Sequence, residues 1–570
     1  MHGDALTLLR TTVVCFTTAT AIALRPRSVL LFNADDLGYG DLQLYGHPSS
    51  QTPNLNALGS EGIVLTSFYS GSPVCSPSRS VLLTGKLPSR TGVYCANGTT
   101  YGCHGDFTNA SSRCCNGVFL PGMPGGLPLA IATLPRELTR RGWSGRSMAV
   151  GKWHLGMLGG PESGEPPSYL PTAHGFDEYY GVPHGVGACP CPPCFLPNVS
   201  CAIACSPTWV GCPVFRGETI VTQPAPLIGL SAQYIAAAVD FLNRTTASKL
   251  PFLLYYASHH THSPQFADSA LDAASRGRFG SSLLELDGEV GALLAALDTL
   301  RVAEETLVWF TSDNGPSLRN GIRGGSAGLF SCGKGTTYEG GVRVPSIVRW
   351  PAGGGGGGRR SADTSVGIAA GAISNTVISM ADIFPTVISL LLGGSNDDTD
   401  NASTDGFDVS AVLTHRAASD DSDDTSAGPR NGGLVYYPQF TRRDRGVGGV
   451  FAARSGRYKA HFATVGSLQS GVNNSDARCR PSAPYVYYGT TVDGGALVYD
   501  LLLDPAEQWP LDVRSTEYAV GLARTTAVLT AHLETLTWWP QPMLNVGAFN
   551  LSLQPCARPG CTPFPQCCHT

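Results

Sequence analysis

Four short apolar runs, each followed at once by polar residues, constrain the fold of this chain more than any other feature. Apart from a serine or threonine at an end, each run is continuously apolar rather than alternating, which is typical of a parallel strand that is buried on both faces. The runs cover residues 28–32, 147–150, 251–257 and 306–311. Helical patterns such as residues 231–242 and 281–300 lie between them. This alternation predicts an α/β fold built on a large, mostly parallel central sheet with helices on both faces.

The pattern changes near residue 434, where short strand-like segments replace the strand–helix alternation. These segments cover residues 434–437, 449–454, 458–462 and 497–501, and a helical pattern covers residues 516–536. They predict a smaller antiparallel sheet that packs against a helix. A chain of 570 residues is too long for one simple core. We therefore expect a larger domain over residues 25–430 and a smaller α+β domain, with a Cys-rich end, over residues 431–570.

The first 24 residues are predicted to be a signal peptide. Arg10 precedes an apolar stretch over residues 11–24, and Ala21-Ile22-Ala23 offers a small-residue cleavage site. The stretch is short for a membrane span, and an apolar N-terminal strand with no targeting role is the alternative. We expect the protein in the secretory pathway, with the lysosome and the extracellular space both left open.

Cysteines and glycosylation motifs agree with this location. The chain has 18 cysteines, a density that fits disulfides in an oxidising compartment. Zinc knuckles are the alternative, but the Cys and His spacings match no zinc pattern well. Motifs that accept N-linked glycans occur at Asn97, Asn109, Asn198, Asn243, Asn401, Asn473 and Asn550. The small net charge of −5 offers no basic surface for nucleic acid, so no nucleic-acid partner is expected.

Removal of Cys15 with the signal peptide would leave an odd number of cysteines, so at least one is expected to be unpaired. Cys75 is the candidate. It begins the segment 75–79, Cys-Ser-Pro-Ser-Arg, in which proline predicts the start of a helix and Arg79 lies one turn further on. A cysteine at a helix N-terminus beside arginine is expected to have a depressed pKa and to be reactive. Half of a disulfide, or a small buried residue, is the alternative.

Polar clusters follow all four apolar runs, and ligands bind outside the carboxyl ends of the strands in open α/β sheets. Asp35, Asp36, Asp313 and Asn314 supply hard oxygen ligands, which suit Ca²⁺ or Mg²⁺ rather than Zn²⁺. Calcium is favoured over magnesium because a cage made only of protein oxygens suits the larger ion. An Asp-Asp pair alone is more often a turn or a helix cap, so this prediction depends on the four strand ends together.

Three motifs resemble those of the type I sulfatase family, which belongs to the alkaline phosphatase superfamily. Residues 75–79, Cys-x-Pro-Ser-Arg, followed by residues 82–85, Leu-x-Thr-Gly, are similar to the motif whose cysteine a dedicated enzyme oxidises to formylglycine. Residues 151–156, Gly-Lys-Trp-His-Leu-Gly, and residues 332–341, Cys-Gly-Lys-Gly-Thr-Thr-Tyr-Glu-Gly-Gly, also match the family. The first motif is highly specific. The resemblance runs from about residue 28 to the C-terminus and implies an alkaline-phosphatase-like fold.

The resemblance implies that Asp35, Asp36, Asp313 and Asn314 hold one Ca²⁺, with an oxygen of the converted Cys75 beside the metal. It also implies the formylglycine-generating enzyme as a partner during maturation. The hydrated aldehyde would offer one hydroxyl to attack sulfur and a second to release the sulfate. A plain cysteine or serine has no second hydroxyl and would trap the sulfated enzyme.

The remaining matched residues are implied to bind sulfate and move protons. Lys152 and Lys334 would bind the sulfate oxygens, because an anionic sulfate ester repels nucleophiles until cations neutralise it. Arg79 would steady the hydrated aldehyde. His262 would give a proton to the leaving oxygen as general acid, and His154 would act as the base.

Several neighbouring residues are open to a structural interpretation. His259 and His260 follow the same strand as His262, and either could be a structural residue at a strand end. Trp153 is expected to serve packing. The loop 181–185 lacks the serine that one branch of the family carries near its sulfate, so one contact is missing or His184 replaces it.

Within the family, segments resemble two branches. Residues 255–262 and 451–462 resemble the arylsulfatase A branch, which implies a galactosyl-3-sulfate lipid or an aryl sulfate as substrate. Residues 175–178 and 541–546 resemble the N-acetylgalactosamine-6-sulfatase branch, which acts on sulfated oligosaccharides. The first branch is favoured. A phosphohydrolase of the same superfamily would need a second metal, and a non-catalytic glycoprotein that binds sulfated glycans would not need Cys75 or Arg79. Association into a homo-oligomer stays open.

Overall fold

The structure is a computed structural model, and it describes residues 25–97, 100–101, 114–115, 117–157, 168–185, 212–223, 225–268, 271, 275–351, 367–393, 404–414, 430, 433–471, 474–491 and 495–547. The predicted signal peptide lies outside these ranges. Five glycosylation motifs also lie outside them: Asn109, Asn198, Asn401, Asn473 and Asn550. Asn97 and Asn243 are described, and both are exposed, as a glycan acceptor must be.

Twenty strands are described, in chain order as follows. They are β1 (Ser28–Ala34), β2 (Ile63–Leu65), β3 (Phe68–Tyr69), β4 (Thr100–Tyr101), β5 (Cys114–Cys115), β6 (Arg146–Gly151), β7 (Glu178–Gly181), β8 (Val214–Arg216), β9 (Thr219–Thr222), β10 (Phe252–Ala257), β11 (Thr306–Ser312), β12 (Ser346–Arg349), β13 (Ala372–Ser374), β14 (Ile378–Ser379), β15 (Leu434–Tyr436), β16 (Ala452–Ser455), β17 (Tyr458–His461), β18 (Ala463–Thr464), β19 (Val486–Tyr487) and β20 (Leu497–Asp500).

Ten α-helices are described with them, besides short 3-10 turns. They are α1 (Pro53–Glu61), α2 (Cys75–Thr84), α3 (Pro88–Thr91), α4 (Leu134–Arg140), α5 (Leu230–Ala247), α6 (Gly277–Thr299), α7 (Glu339–Val342), α8 (Ile383–Leu392), α9 (Ser410–Leu413) and α10 (Thr516–Thr535). In the parts of the chain that the structure covers, none of these helices has the length and apolar content to span a membrane.

Ten strands form one large mixed sheet in the order β13-β2-β12-β11-β1-β10-β6-β7-β8-β9. Its centre is parallel, because β1 pairs with both β10 and β11, and β10 pairs with β6. The antiparallel pairs lie towards its edges, at β12 and at β8 and β9. The four central strands are the four predicted apolar runs, and the predicted α/β architecture is confirmed.

Alternate residues of β1 belong to two separate apolar cores, one on each face of the sheet. Val29 and Leu31 pack in the core that contains α2 and α8. Leu30, Phe32 and Ala34 pack in the core that contains α5 and α6. Because successive side chains of a strand point to opposite faces, helices on both faces require a run that is apolar throughout. Each fully buried large side chain contributes about 1.5–3 kcal/mol.

The C-terminal region forms the second predicted sheet, in the antiparallel order β15-β16-β17-β20. Helix α10 packs on it through Tyr518, Leu522 and Leu529, which share a buried cluster with Val498 of β20. The Ser515 hydroxyl accepts a hydrogen bond from the Tyr518 amide at 3.1 Å and so caps the start of the helix. The small antiparallel sheet with its helix is confirmed, whereas the domain boundary near residue 430 stays a prediction.

Two disulfides have both of their cysteines among the described residues. Cys95 pairs with Cys115, and Cys332 pairs with Cys479. The second bond joins the start of the segment 332–341 to the C-terminal region. It therefore attaches the loop that carries Lys334 to the smaller sheet.

A buried group of charged side chains lies between the same two parts of the molecule. The Lys459 ammonium contacts Glu339 Oε1 at 2.9 Å and Glu507 Oε1 at 3.1 Å, and all three side chains are fully buried. Tyr69 donates to Glu339 Oε2 at 2.7 Å, and His461 Nε2 lies 2.7 Å from Glu507 Oε1. Burial alone would raise the pKa of Glu339, but the nearby cations, with Lys459 first among them, outweigh burial and lower it. Lys459 is therefore the cation shared by both buried carboxylates, and Arg343 adds a second contact to Glu339 at 3.3 Å.

Replacing this lysine should destabilise the fold strongly. Lys459→Met leaves Glu339 and Glu507 buried without their main cation, and we expect a loss of about 3–5 kcal/mol in the free energy of unfolding. Denaturant unfolding followed by fluorescence measures it. Lys249→Met removes an exposed lysine and should change the free energy by no more than about 0.5 kcal/mol. Equal unfolding midpoints for the two variants would show that the buried group contributes no stability.

Candidate active site

The parallel centre of the large sheet brings the predicted site residues to one edge. Strands β11, β1, β10 and β6 are adjacent and parallel, so their carboxyl ends lie side by side. Two further segments reach this edge, namely the first turn of α2 and the loop 332–341. The residues that come together here are Asp35, Asp36, Cys75, Arg79, Lys152, His154, His262, Asp313, Asn314 and Lys334.

Cys75 is the first residue of α2 and lies in the middle of these groups. Its Sγ is 3.3 Å from Lys334 Nζ, 3.7 Å from Asp35 Oδ1 and 4.0 Å from Asp36 Oδ1. Helix α2 ends at Thr84, and the left-handed conformation of Gly85 (φ 66°), the residue after it, lets the Gly85 amide donate to the Val81 carbonyl. Among the cysteines whose side chains are described, Cys75 is the free one. This agrees with the prediction that it is unpaired.

The prediction of a depressed thiol pKa is wrong for the unmodified cysteine. Cys75 is buried, and burial raises the pKa of its thiol to about 12. Lys152 and Lys334 act in the opposite direction, but Asp313 and Asp35 add to the effect of burial. A buried thiol beside two carboxylates keeps its proton, and the helix N-terminus does not reverse this.

Arg79 does not bond the sulfur but ties α2 to two strand ends. Its guanidinium contacts Asp313 Oδ2 through two nitrogens, Nε at 2.9 Å and Nη2 at 2.8 Å. The third nitrogen, Nη1, donates to the Lys152 carbonyl at 2.9 Å. The side chain is fully buried. Burial would lower the pKa of this guanidinium, but Asp313 and other anions raise it above its usual value. Arg79 therefore stays charged and fixes the helix against the sheet edge.

Both lysines of the site contact carboxylates. Lys152 Nζ lies 2.8 and 2.7 Å from the two oxygens of Asp35, and Lys334 Nζ lies 2.5 Å from Asp36 Oδ1. Burial would raise the pKa of both carboxyls, but the lysines and other cations outweigh it and lower both values. Asp35 and Asp36 are therefore ionised at neutral pH.

The loop that carries Lys334 is held on both sides. Its Gly335 amide donates to the Pro73 carbonyl at 2.8 Å, two residues before Cys75. On the other side, the Ser470 hydroxyl bonds the carbonyls of Gly333 at 3.0 Å and Lys334 at 3.2 Å. Residues of the C-terminal region thus determine where the Lys334 ammonium lies.

The oxygens at this edge fit a divalent cation. Asp36 Oδ2 and Asn314 Oδ1 are buried and lack a hydrogen-bond partner among the described residues. Possible ligand atoms of Asp35, Asp36, Cys75 and His262 all lie within 4.8 Å of one another. Buried carboxylate oxygens without partners are costly unless a cation or a donor meets them. Two of these four residues are carboxylates, and with Asn314 Oδ1 they supply hard oxygens, which suit Ca²⁺ or Mg²⁺.

The two histidines of the site differ in exposure. His262 has a side chain that is 20% exposed, the highest value among the six residues predicted to be catalytic, and its Nε2 lies 3.7 Å from Asp36 Oδ2. His154 is buried, with its Nε2 2.9 Å from the Phe119 carbonyl. Burial lowers the pKa of both rings, most strongly for His154. His262 is therefore the most solvent-accessible of these six side chains.

His259, His260 and Trp153, which neighbour the site residues in sequence, make contacts that are typical of structural residues. His260 bonds the hydroxyls of Ser282 at 2.8 Å and Ser231 at 3.1 Å, and His259 stacks on Phe266 with ring centroids 4.6 Å apart. Trp153 is buried and donates to a backbone carbonyl at 2.7 Å. These contacts favour the structural interpretation of all three.

His184 lies beside the site. It is buried, its Nδ1 is 3.1 Å from the Gly185 carbonyl, and burial lowers its pKa to about 4. A Cβ atom at Gly185 would lie 3.3 Å from His154 Cε1 and 3.8 Å from Lys152 Cε, so this loop packs directly on both site residues.

Sequence reasoning missed two residues that contact the site, Ser76 and Phe119. Phe119 uses its carbonyl to meet His154 and its amide to meet the Ser76 hydroxyl at 3.1 Å. Because both contacts of Phe119 are made by its main chain, its side-chain identity carries no signal. Ser76 occupies the variable position of the motif 75–79, so the motif itself did not single it out.

Comparison of the amino-acid sequence with known proteins shows the family of this chain. The sulfatase family model matches residues 27–394, and the model for the C-terminal region of aryl-sulfatase matches residues 430–569. The chain is 38% identical to arylsulfatase A of Homo sapiens over 566 residues, 98% of each chain. It is 34% identical to N-acetylgalactosamine-6-sulfatase of Sus scrofa, over 95% of this chain and 92% of that one.

Solved structures share the fold. The PsFucS1 sulfatase of Pseudoalteromonas sp. superposes with a TM-score of 0.65 at 24% identity, and the match covers 91% of this chain and 92% of that one. The phosphonate monoester hydrolase of Agrobacterium radiobacter superposes with a TM-score of 0.51 at 18% identity, covering 90% of this chain and 96% of that one. At these identities the likeness concerns the fold alone.

The raised thiol pKa predicts that an unconverted Cys75 resists alkylation. In chains that still carry the cysteine, iodoacetamide at pH 8 should label it at least about 100-fold more slowly than a thiol of ordinary pKa, because the thiolate is scarce and buried. Peptide mass spectrometry after timed quenching measures the labelling. The same chain in denaturant, without reductant, is the control and should label fast. Rapid labelling of the folded chain would contradict the buried, protonated thiol.

Proposed function

Because this chain belongs to the sulfatase family of sulfuric ester hydrolases, we propose that it hydrolyses the sulfate monoester of a galactosyl-3-sulfate lipid or an aryl sulfate. The surroundings of Cys75 support this proposal most directly. Cys75, in the family motif, lies within 3.3 Å of a lysine ammonium and within 4.0 Å of two metal-type carboxylates at the carboxyl edge of the sheet.

Membership of the family implies a metal ion and a formylglycine. We propose that the metal is one Ca²⁺ held by Asp35, Asp36, Asp313 and Asn314, and that Cys75 is the residue converted by the formylglycine-generating enzyme. The ion would supply Lewis-acid polarisation of the sulfate, and the hydrated aldehyde would supply the nucleophilic oxygen. Support comes from the hard donor set and from the two buried oxygens, Asp36 Oδ2 and Asn314 Oδ1, that have no hydrogen-bond partner among the described residues.

The side chains around Cys75 would orient the ester and move protons. Lys152 and Lys334 would place two ammonium groups against the sulfate oxygens, where a dry setting strengthens the attraction. His262, the most exposed of the predicted catalytic residues, would give the proton of Nε2 to the leaving oxygen. His154 would accept a proton inside the buried site. Arg79 would keep α2, and therefore residue 75, aligned with Asp313.

The choice between two substrate classes depends on the relatives. Arylsulfatase A is 38% identical over nearly the full length, compared with 34% for N-acetylgalactosamine-6-sulfatase. This difference favours the lipid or aryl sulfate, and a galactosamine-6-sulfate oligosaccharide is the second candidate. The two relatives, together with the predicted signal peptide, also support a place in the secretory pathway, either lysosomal or extracellular.

Sulfate release by the purified glycoprotein tests the reaction and the substrate together. We expect faster release from a galactosyl-3-sulfate lipid than from a galactosamine-6-sulfate oligosaccharide, and no release from either by Cys75→Ala, since that variant has no nucleophile. Ion chromatography of free sulfate measures both. Preference for the oligosaccharide would move the chain to the second class. Release by Cys75→Ala at the wild-type rate would contradict the role of residue 75.

Calorimetric titration with metal alone tests the proposed ligands without depending on activity. We expect Ca²⁺ to bind more tightly than Mg²⁺, and Asp36→Asn to weaken Ca²⁺ binding at least about 10-fold because a charged oxygen ligand is lost. Asp298→Asn, which changes an exposed aspartate far along α6, is the matched control and should bind as the wild type does. Equal affinities for both variants would exclude Asp36 as a ligand, and tighter Mg²⁺ binding would overturn calcium.

A further inference from the structure

We propose that Ser76 and the main chain of Phe119 are positioning elements that hold His154 in one tautomer, with the proton on Nε2 and the lone pair of Nδ1 free to accept a proton during ester hydrolysis. The inference rests on the proposed sulfatase function. It assigns a role to Ser76, the residue that follows Cys75, and to the main-chain carbonyl of Phe119.

The contact between His154 and Phe119 decides the tautomer. His154 Nε2 lies 2.9 Å from the Phe119 carbonyl oxygen. A carbonyl can only accept a hydrogen bond, so the imidazole nitrogen must be the donor and must carry the proton. A neutral ring with its proton on Nε2 has its lone pair on Nδ1.

His154 Nδ1 is available for that task. The atom is buried and bonds none of the side chains or backbone groups that the structure describes. Burial lowers the pKa of His154 well below its usual value, and the positive charges of Lys152 and Arg79 lower it further. The ring is therefore neutral, and it lies among the groups that would bind the sulfate. A neutral histidine with a free lone pair in a dry site is suited to act as a base.

Ser76 fixes the residue that provides the carbonyl. The Phe119 amide donates to Ser76 Oγ at 3.1 Å, and Ser76 is fully buried in the first turn of α2, next to Cys75. Through Phe119, one helix turn therefore sets the positions of both the nucleophile residue and the base. If the serine hydroxyl is removed, Phe119 loses its anchor and His154 loses the fixed acceptor that orients its ring.

Serine variants on α2 test this arrangement. Ser76→Ala removes the hydroxyl, and Ser76→Thr keeps it. Ser80→Ala is the matched control, because Ser80 is equally buried on the same helix and its hydroxyl bonds Pro77 and Thr91 rather than Phe119. Ser76 occupies the variable position of the motif 75–79, so conversion of Cys75 should proceed in all three variants. Mass spectrometry of residue 75 normalises the rates to converted enzyme.

The first readout does not depend on activity. Hydrogen–deuterium exchange of the Phe119 amide should be faster in Ser76→Ala than in the wild type, and unchanged in Ser80→Ala. The second readout is turnover of an aryl sulfate. Ser76→Ala should lower kcat about 10-fold without raising KM, because Lys152 and Lys334 are untouched, while Ser76→Thr should restore most of kcat.

Two results would overturn the proposal. One is a Phe119 amide that exchanges at the wild-type rate in Ser76→Ala. The other is a kcat for Ser76→Ala equal to that of Ser80→Ala at matched conversion. The proposed function fails separately, since wild-type enzyme that releases no sulfate from any ester would refute the sulfatase assignment, while the exchange experiment would still report on the Ser76–Phe119 contact.

Discussion

Three buried carboxylates, Asp35, Asp36 and Asp313, share the carboxyl edge of the central sheet, and bringing them out of water is unfavourable unless cations lie beside them. Lys152, Lys334 and Arg79 provide these cations in the structure. Each cation comes from a different segment, so the edge is stable only when the sheet, helix α2 and the loop 332–341 are all in place. A divalent ion bound at this edge would add further positive charge and release the lysines for an anionic substrate.

Because the loop 332–341 must be in place at this edge, the C-terminal region that holds the loop is part of the active enzyme. The loop 332–341 is joined to it by the Cys332–Cys479 disulfide, by Ser470 and by the buried contacts of Glu339 with Lys459. These contacts, together with the bond between the Gly335 amide and the Pro73 carbonyl, hold the backbone of Lys334, whose ammonium lies 3.3 Å from Cys75 Sγ. The smaller sheet therefore contributes to the chemistry without placing a side chain of its own against Cys75.

The features that are predicted correctly from the sequence are those that depend on residues close together in the chain. A run such as residues 28–32, with four consecutive apolar residues after Ser28, is expected to be buried on both faces, and Asp35 and Asp36, which follow it, are then expected at a strand end. The depressed pKa predicted for Cys75 is wrong because the prediction rests only on the helix N-terminus and Arg79. The sequence alone does not show that Cys75 is buried or that Arg79 is bound to Asp313. The Ser76–Phe119–His154 contacts have no local pattern because Phe119 makes both of them with its main chain. The Lys459–Glu339–Glu507 group has none because its members are far apart in sequence.

Residue 75, once converted from cysteine to formylglycine, is the proposed nucleophile of this sulfuric ester hydrolase. Preparations with different degrees of conversion test this role most directly, when the aldehyde fraction at residue 75 and the rate of sulfate release from an aryl sulfate are measured on the same sample. We expect the rate to be proportional to the aldehyde fraction and to vanish with it. A rate that is independent of the aldehyde fraction would refute this role of residue 75.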